Sequence, residues 1–154
     1  ALSPLPHAGL LQELPDGWRP MTGLPTVEVA AAVIQRDGRY LITQRAQGSH
    51  LAGLWVFPGG KRRAGESLEE CLRREIMEEL GVEVEVGEEI ETITWPYPER
   101  TVVLHFFRCA LARGDVFPRE GQAMAWVTPE ELERYPAPPA DASLIARLRR
   151  PDRL

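Results

Sequence analysis

Apolar residues recur along this chain at two periods, and the switch between them marks its elements. Val27–Ile34 and Tyr40–Gln44 are short runs of β-formers joined across Asp37-Gly38, a strong hairpin signal. Leu54–Phe57 is a third short apolar run, ending at the flexible turn Pro58-Gly59-Gly60. Next the period becomes helical, with Leu68, Cys71, Leu72, Ile76 and Leu80 forming one stripe at about 100° per residue. Ser67 and Glu70 make a capping box at its start, and Gly81 supplies the stop. Val82–Val86, Glu89–Trp95 and Thr101–Leu111 then read as strands, the last apolar enough to be buried on both faces for much of its length. Ala123–Val127 predicts a further strand, Thr128-Pro129-Glu130-Glu131 a short capped helix, and Asp141–Arg150 a terminal amphipathic helix. Strands on both sides of a central helix predict an α+β fold, a mixed sheet sandwiched between helices.

Residues 1–26 show no sustained period and carry repeated Pro and Gly, so they predict an extended leader ahead of one domain over 27–154. A domain of that size builds a core without metal or disulfide staples. Cys71 and Cys109 lie within apolar patterns and lack metal-like spacing, which predicts reduced core thiols in a cytoplasmic protein. No apolar run approaches a membrane span. The net charge of −5 argues against sequence-independent binding to a nucleic acid polymer, though not against a single nucleotide.

Charge changes the reading of the central helix. Glu79 projects between Leu68 and Leu72, Glu75 falls beside them, and Glu78 lies one step further round. A helix that only covered a core would carry its acids opposite the apolar stripe, whereas these lie at its edge. Carboxylates this close repel unless a cation sits among them, and a divalent metal is the simplest such cation. The alternative is a solvated face supported by Glu70–Arg74 pairing.

The segment Gly60–Val82 reads Gly, five residues, Glu66, seven residues, Arg74-Glu75-Ile76, one residue, Glu78-Glu79, one residue, Gly81-Val82. It resembles the Nudix box with every defined position filled. Ile42–Arg45, Leu54–Lys61, Pro98–Arg100, Arg119–Gln122 and Pro138–Asp141 resemble, in order, landmarks of the MutT-like nucleoside triphosphate pyrophosphohydrolases. The resemblance runs from Val27 to Arg150 and implies the Nudix fold, an α/β/α sandwich.

It also implies roles. Glu75, Glu78 and Glu79, with Glu120 and the carbonyl of Gly59, would hold Mg²⁺, with Mn²⁺ as the substitute, and Glu78 or Glu120 would deprotonate water. Arg74 would orient a metal-binding glutamate, while Glu66 is structural. Lys61, Arg45, Arg100 and Asp141 would contact the nucleotide; Arg62 and Arg63 read as solvated, and His50 and His105 as loop and strand residues. Asp141 stands where relatives selective for oxidised guanine carry asparagine, as in relatives acting on cytidine nucleotides, with helix capping as its other reading. Val56 departs from the glutamate common ahead of the Phe-Pro-Gly-Gly sequence. The implied reaction takes a nucleoside triphosphate to monophosphate and pyrophosphate, clearing oxidised or non-standard nucleotides, in a monomer or homodimer. The alternatives are another nucleoside diphosphate derivative, such as a nucleotide sugar or dinucleoside polyphosphate, or a sensor that does not hydrolyse.

Overall fold

The computed structural model describes residues 25–49 and 51–150. The expected leader up to residue 24, the reading of His50 and the last four residues of the expected domain lie outside these described residues. In order come β1 (Thr26–Arg36), β2 (Arg39–Gln44), β3 (Trp55–Val56), β4 (Gly59–Lys61), α1 (Leu68–Leu80), β5 (Glu83–Pro96), β6 (Thr101–Arg113) and β7 (Met124–Val127). Two 3-10 helices, Pro129–Arg134 and Pro139–Asp141, precede α2 (Ala142–Leu148).

β1 is the spine. It runs parallel to β6 in register from Thr26↔Thr101 to Ile34↔Cys109, and its other edge is shared by β4 along the first half and β2 at the end. The sheet order is β3-β2-β1-β6-β5, with β7 beside β2. Side chains alternate across a strand, so β1 serves two layers. Ala30, Ala32 and Ile34 pack on Cys71, Leu72, Ile76 and Leu80 of α1. Ala31 and Val33 face the other way, toward Tyr40, Ile42, Phe106, Leu132, Leu144 and Leu148. Helices thus cover both faces, as the sequence pattern predicts.

α1 starts and stops as expected. Ser67 accepts from the Glu70 amide, the Glu70 carboxylate accepts from the Ser67 amide, and Gly81 closes the helix in the left-handed region at φ 68°. Because Glu70 is committed to this box, the Glu70–Arg74 pair of the alternative reading does not form, and Arg74 turns to other partners.

Three elements differ from expectation. The two strands expected over 82–95 are one strand, β5, because register shifts between Val86 and Glu91 absorb the Gly87-Glu88 step without breaking the pairing to β6. β6 is fully buried only at Thr101, Val102, Phe106 and Cys109, short of the burial on both faces that its apolar run predicts. The terminal helix begins at Ala142, and the Asp141 side chain makes no capping bond, which removes the capping alternative for that residue.

Ser67→Ala removes one half of the capping box while leaving the acid face intact. It should cost about 1 kcal/mol of stability with an unchanged urea m-value. Urea unfolding followed by circular dichroism tests this, and a loss below about 0.3 kcal/mol would show that packing alone sets the helix start.

Candidate active site

The face of α1 that meets the sheet is where the acids collect. Gly60 of β4 lies against the Glu75 carboxyl group so closely that a Cβ there would collide with it. A Cβ on Gly59 would strike the Ala30 carbonyl of β1. Gly60 is therefore required for the helix to approach the sheet at this point, and Gly59 for β4 to lie against β1.

Arg74 binds most of the nearby negative charge. Its guanidinium donates to Glu66 at 2.6 and 2.9 Å, to Glu75 at 2.9 Å, to Glu78 at 3.1 Å and to the Lys61 carbonyl at 3.0 Å. The hydrogen bonds from Arg74, and then from the Arg63 amide, hold the Glu66 carboxyl down at about 2. Glu66 is thus structural, as expected. Arg62 and Arg63 are less free than expected: Arg62 pairs with Glu28 at 2.9 Å, and Arg63 reaches within 3.9 Å of Glu78. His105, on the same sheet face as Glu28, lies between Glu28 and Glu89 at 3.0 and 2.9 Å.

Glu79 is outside the reach of Arg74. Its Oε2 is enclosed and has no hydrogen-bond partner. Burial pushes its carboxyl up to about 8, and the charges of Glu75 and Glu120 push the same way, opposed by Arg45 and by the Gly59 amide. Glu75 is also raised, chiefly by burial, with Glu78 and Glu120 adding to the effect against Arg74. Among the described residues no group of three His, Cys, Asp or Glu side chains is already gathered into a coordination shell. The donor chemistry nevertheless fits a hard divalent cation: carboxylate oxygens that repel one another, one of them buried and unpartnered. Glu78 is the most exposed of the three helix acids and is committed to arginine.

The opposite face of the β1–β6 pair floors a cleft enclosing about 800 Å³, part of it open to solvent. Val29 and Leu104 lie in register on its floor, and Arg45, Gly59, Lys61, Tyr97, Arg100 and Asp141 also line it. Arg45 joins the two regions, since it lines the cleft and its charge acts on Glu79. Arg100 Nε is buried without a hydrogen-bond partner. Asp141 is 4% exposed, and burial pushes its carboxyl up to about 7. The Tyr97 phenol is raised to about 12 by burial and then by the Asp141 charge, against the charges of Arg100 and Arg45. Every site residue expected from the sequence is thus found around the acid face or the cleft. Tyr97 was missed: its signal is slight, an aromatic residue between two prolines at the β5–β6 turn.

A shared acid face and an arginine-flanked cleft on either side of one glycine strand define a hydrolase of phosphoanhydride bonds. Residues 29–147 match the NUDIX domain family, and the chain belongs to it. The CTP pyrophosphohydrolase of Escherichia coli (strain K12) is 42% identical over 119 residues, covering 77% of this chain and 88% of that protein. An 8-oxo-dGTP diphosphatase of Haemophilus influenzae is 38% identical over 123 residues, covering 79% and 90%. Among solved structures, the E. coli ORF135 protein superimposes with a TM-score of 0.71 at 39% identity, covering 83% of this chain and 91% of that one. A MutT protein from Methanosarcina mazei Go1 gives a TM-score of 0.74 at 28% identity, covering 82% and 94%.

The raised carboxyls set a pH dependence. Glu79 and Asp141 bind protons more tightly folded than unfolded, so the stability they contribute is full below about pH 4 and is lost as pH rises through about 7 and 8. Glu66 acts oppositely, contributing above about pH 4.5 and losing its contribution toward about pH 2. The melting temperature of the metal-free protein should therefore fall between about pH 5 and about pH 8.5, and millimolar Mg²⁺ should raise it more at the alkaline end. Scanning calorimetry across that range tests this; a flat profile, or equal Mg²⁺ effects at both ends, would contradict the buried-carboxylate account.

Proposed function

We propose that the protein hydrolyses a nucleoside triphosphate to the monophosphate and pyrophosphate with Mg²⁺, which Mn²⁺ can replace, and that it takes cytosine-type bases. The observation that carries this reading is Arg45, which lines the same cleft as Asp141 while its charge acts on Glu79. The names of the relatives support it, since they include a CTP pyrophosphohydrolase and 8-oxo-dGTP diphosphatases. The work suits clearance of damaged or non-standard nucleotides in the cytoplasm, and no helix among the described residues is long and apolar enough to cross a membrane.

Glu75, Glu78, Glu79, Glu120 and the Gly59 carbonyl would hold the cation. When bound it neutralises charge on the phosphate oxygens and acidifies the attacking water. Arg74 fixes the rotamers of Glu75 and Glu78 by its hydrogen bonds. Lys61 and Arg45, which line the cleft, take phosphate oxygens, and Arg100, another lining residue, holds a buried Nε without a hydrogen-bond partner.

Asp141 chooses the base. A protonated carboxyl offers one donor and one acceptor, matching N3 and the N4 amine of cytosine. An ionised carboxylate only accepts, matching the N1–H and N2 amine of guanine. With its carboxyl raised to about 7 by burial, Asp141 can present either form near neutrality.

A panel of nucleoside triphosphates incubated with Mg²⁺, with products resolved by ion exchange, tests the reaction. Monophosphate and pyrophosphate are expected; release of orthophosphate, or tight binding without turnover, would sink the proposal. Glu79→Gln should lower kcat by more than about a hundredfold while the melting temperature holds or rises.

Base choice has its own signature. The ratio of kcat/KM for CTP over that for 8-oxo-dGTP should fall as pH rises through about 7. In Asp141→Asn, whose amide keeps one donor and one acceptor, the ratio should be flat with pH. Parallel pH profiles in the two proteins would remove Asp141 from base recognition.

A further inference from the structure

Glu120 has to serve the acid face from an exposed loop that joins β6 to β7, far from α1 in sequence. What ties that loop to the helix is a set of bonds to the carbonyls that end α1. The Phe117 amide donates to the Leu80 carbonyl at 3.1 Å, the Arg119 amide to the Glu79 carbonyl at 2.9 Å, and the Arg119 guanidinium to the Met77 carbonyl at 3.1 Å. The Leu80 and Glu79 carbonyls end the helix and need outside donors, while the Met77 carbonyl takes the Arg119 guanidinium in addition to the Gly81 amide that closes α1.

One side chain in this set differs from the rest. The Gln122 Nε2 donates to the Glu79 carbonyl at 3.1 Å, while its Oε1 accepts from the Glu120 amide at 3.0 Å. A single amide group therefore bridges the backbones of the two residues whose carboxylates act on each other. A side-chain amide carries a donor nitrogen and an acceptor oxygen on one carbon, and its orientation is set because one neighbour is N–H and the other C=O. The local chain is shaped for the bridge. Gly121 stands between Glu120 and Gln122 at φ 72°, its amide closing a turn on the Pro118 carbonyl at 3.0 Å, and this lets the Gln122 side chain fold back onto the Glu120 amide.

We propose that Gln122 is a positioning residue for the reaction, holding Glu120 opposite Glu79 so that both carboxylates face one cation. The proposal rests on the reading of Glu79 and Glu120 as cation ligands. Gln122 touches neither cation nor nucleotide in this scheme. It fixes the loop backbone from which Glu120 extends, and it does so from the turn of α1 that carries Glu79.

The test uses the full chain and reads Mn²⁺ binding directly, from loss of the free-ion signal in electron paramagnetic resonance, alongside kinetics and melting temperature. Gln122→Met keeps the length and removes both hydrogen bonds. It should weaken Mn²⁺ binding by about 10- to 100-fold and lower kcat more than it changes KM, with the melting temperature within a few degrees of the parent. If that variant does not fold, Gln122→Asn gives the same readout, since a side chain one methylene shorter cannot span both backbones. In Glu120→Gln/Gln122→Met, Mn²⁺ affinity should be no lower than in Glu120→Gln alone, because Gln122 acts through Glu120. Parent-like Mn²⁺ affinity in Gln122→Met, or losses that multiply in the double variant, would overturn the proposal. Unchanged affinity in Glu120→Gln itself would instead mark failure of the ligand reading, and the positioning role would fall with it.

Discussion

The arrangement depends on a shortage of positive charge. Arg74 is the cation most heavily bonded within the helix acid face, and its hydrogen bonds are spent on Glu66, Glu75, Glu78 and the Lys61 carbonyl. Its protonated form is further favoured by these partners, Glu66 above all, so it does not titrate away. The bonds clamp the loop after β4 onto α1, yet Glu79 is left over, pressed toward the sheet without a compensating hydrogen bond at Oε2. A buried carboxylate without a partner is costly unless it is protonated or bound by a cation. That unbalanced charge is the weak point of the metal-free fold, and a cation bound at the helix, as proposed, would offset it.

The sheet makes it possible to combine that charge with a dry binding cleft. β1 gives its even positions to α1 and its odd positions to the cleft, and its parallel partner β6 follows the same alternation in register. Small side chains at Ala30 and Ala32 let α1 settle close to the sheet, and Gly60 removes the last obstacle to the Glu75 carboxyl. β4 lies at the seam, since Gly59 and Gly60 also line the cleft. The acids and the arginines therefore meet around a strand only three residues long, and neither region needs to breach the core.

Much of α1 could be read from the chain because its rules are local. The capping box at Ser67 and Glu70, the stripe from Cys71 to Leu80 and the stop at Gly81 all act within a few residues, and the structure keeps each of them. The acids at the edge of that stripe were legible for the same reason. β5 was misread as two strands because Gly87 looks like a turn locally, whereas the bulge that continues the strand is set by β6. The burial of Asp141 was invisible, since aspartate in a Pro-Ala-Asp segment reads as a cap or a surface acid, and its desolvation comes from strands distant in sequence. Gln122 stood within a recognised landmark, but its role lies in two backbones that only the folded chain brings together.

These separate origins explain how reaction and base choice can be independent. In the proposed scheme the reacting groups belong to α1, to β4 and to a loop stapled onto the C-terminal turn of α1. Asp141 belongs to a proline-stiffened segment anchored elsewhere: the Trp55 amide of β3 donates to the Pro136 carbonyl at 2.7 Å, and Trp55 packs edge-on against Tyr135 with ring centroids 5.1 Å apart. Exchanging the donor and acceptor pattern at Asp141 alters what the far end of the cleft can pair with, and no hydrogen bond of the acid face passes through that residue. A cleft floored by apolar side chains discriminates poorly between bases of similar shape. Its selectivity must therefore rest on the few polar groups at its rim, and a buried carboxyl whose proton is held near neutrality is the one group there that can present two hydrogen-bonding patterns.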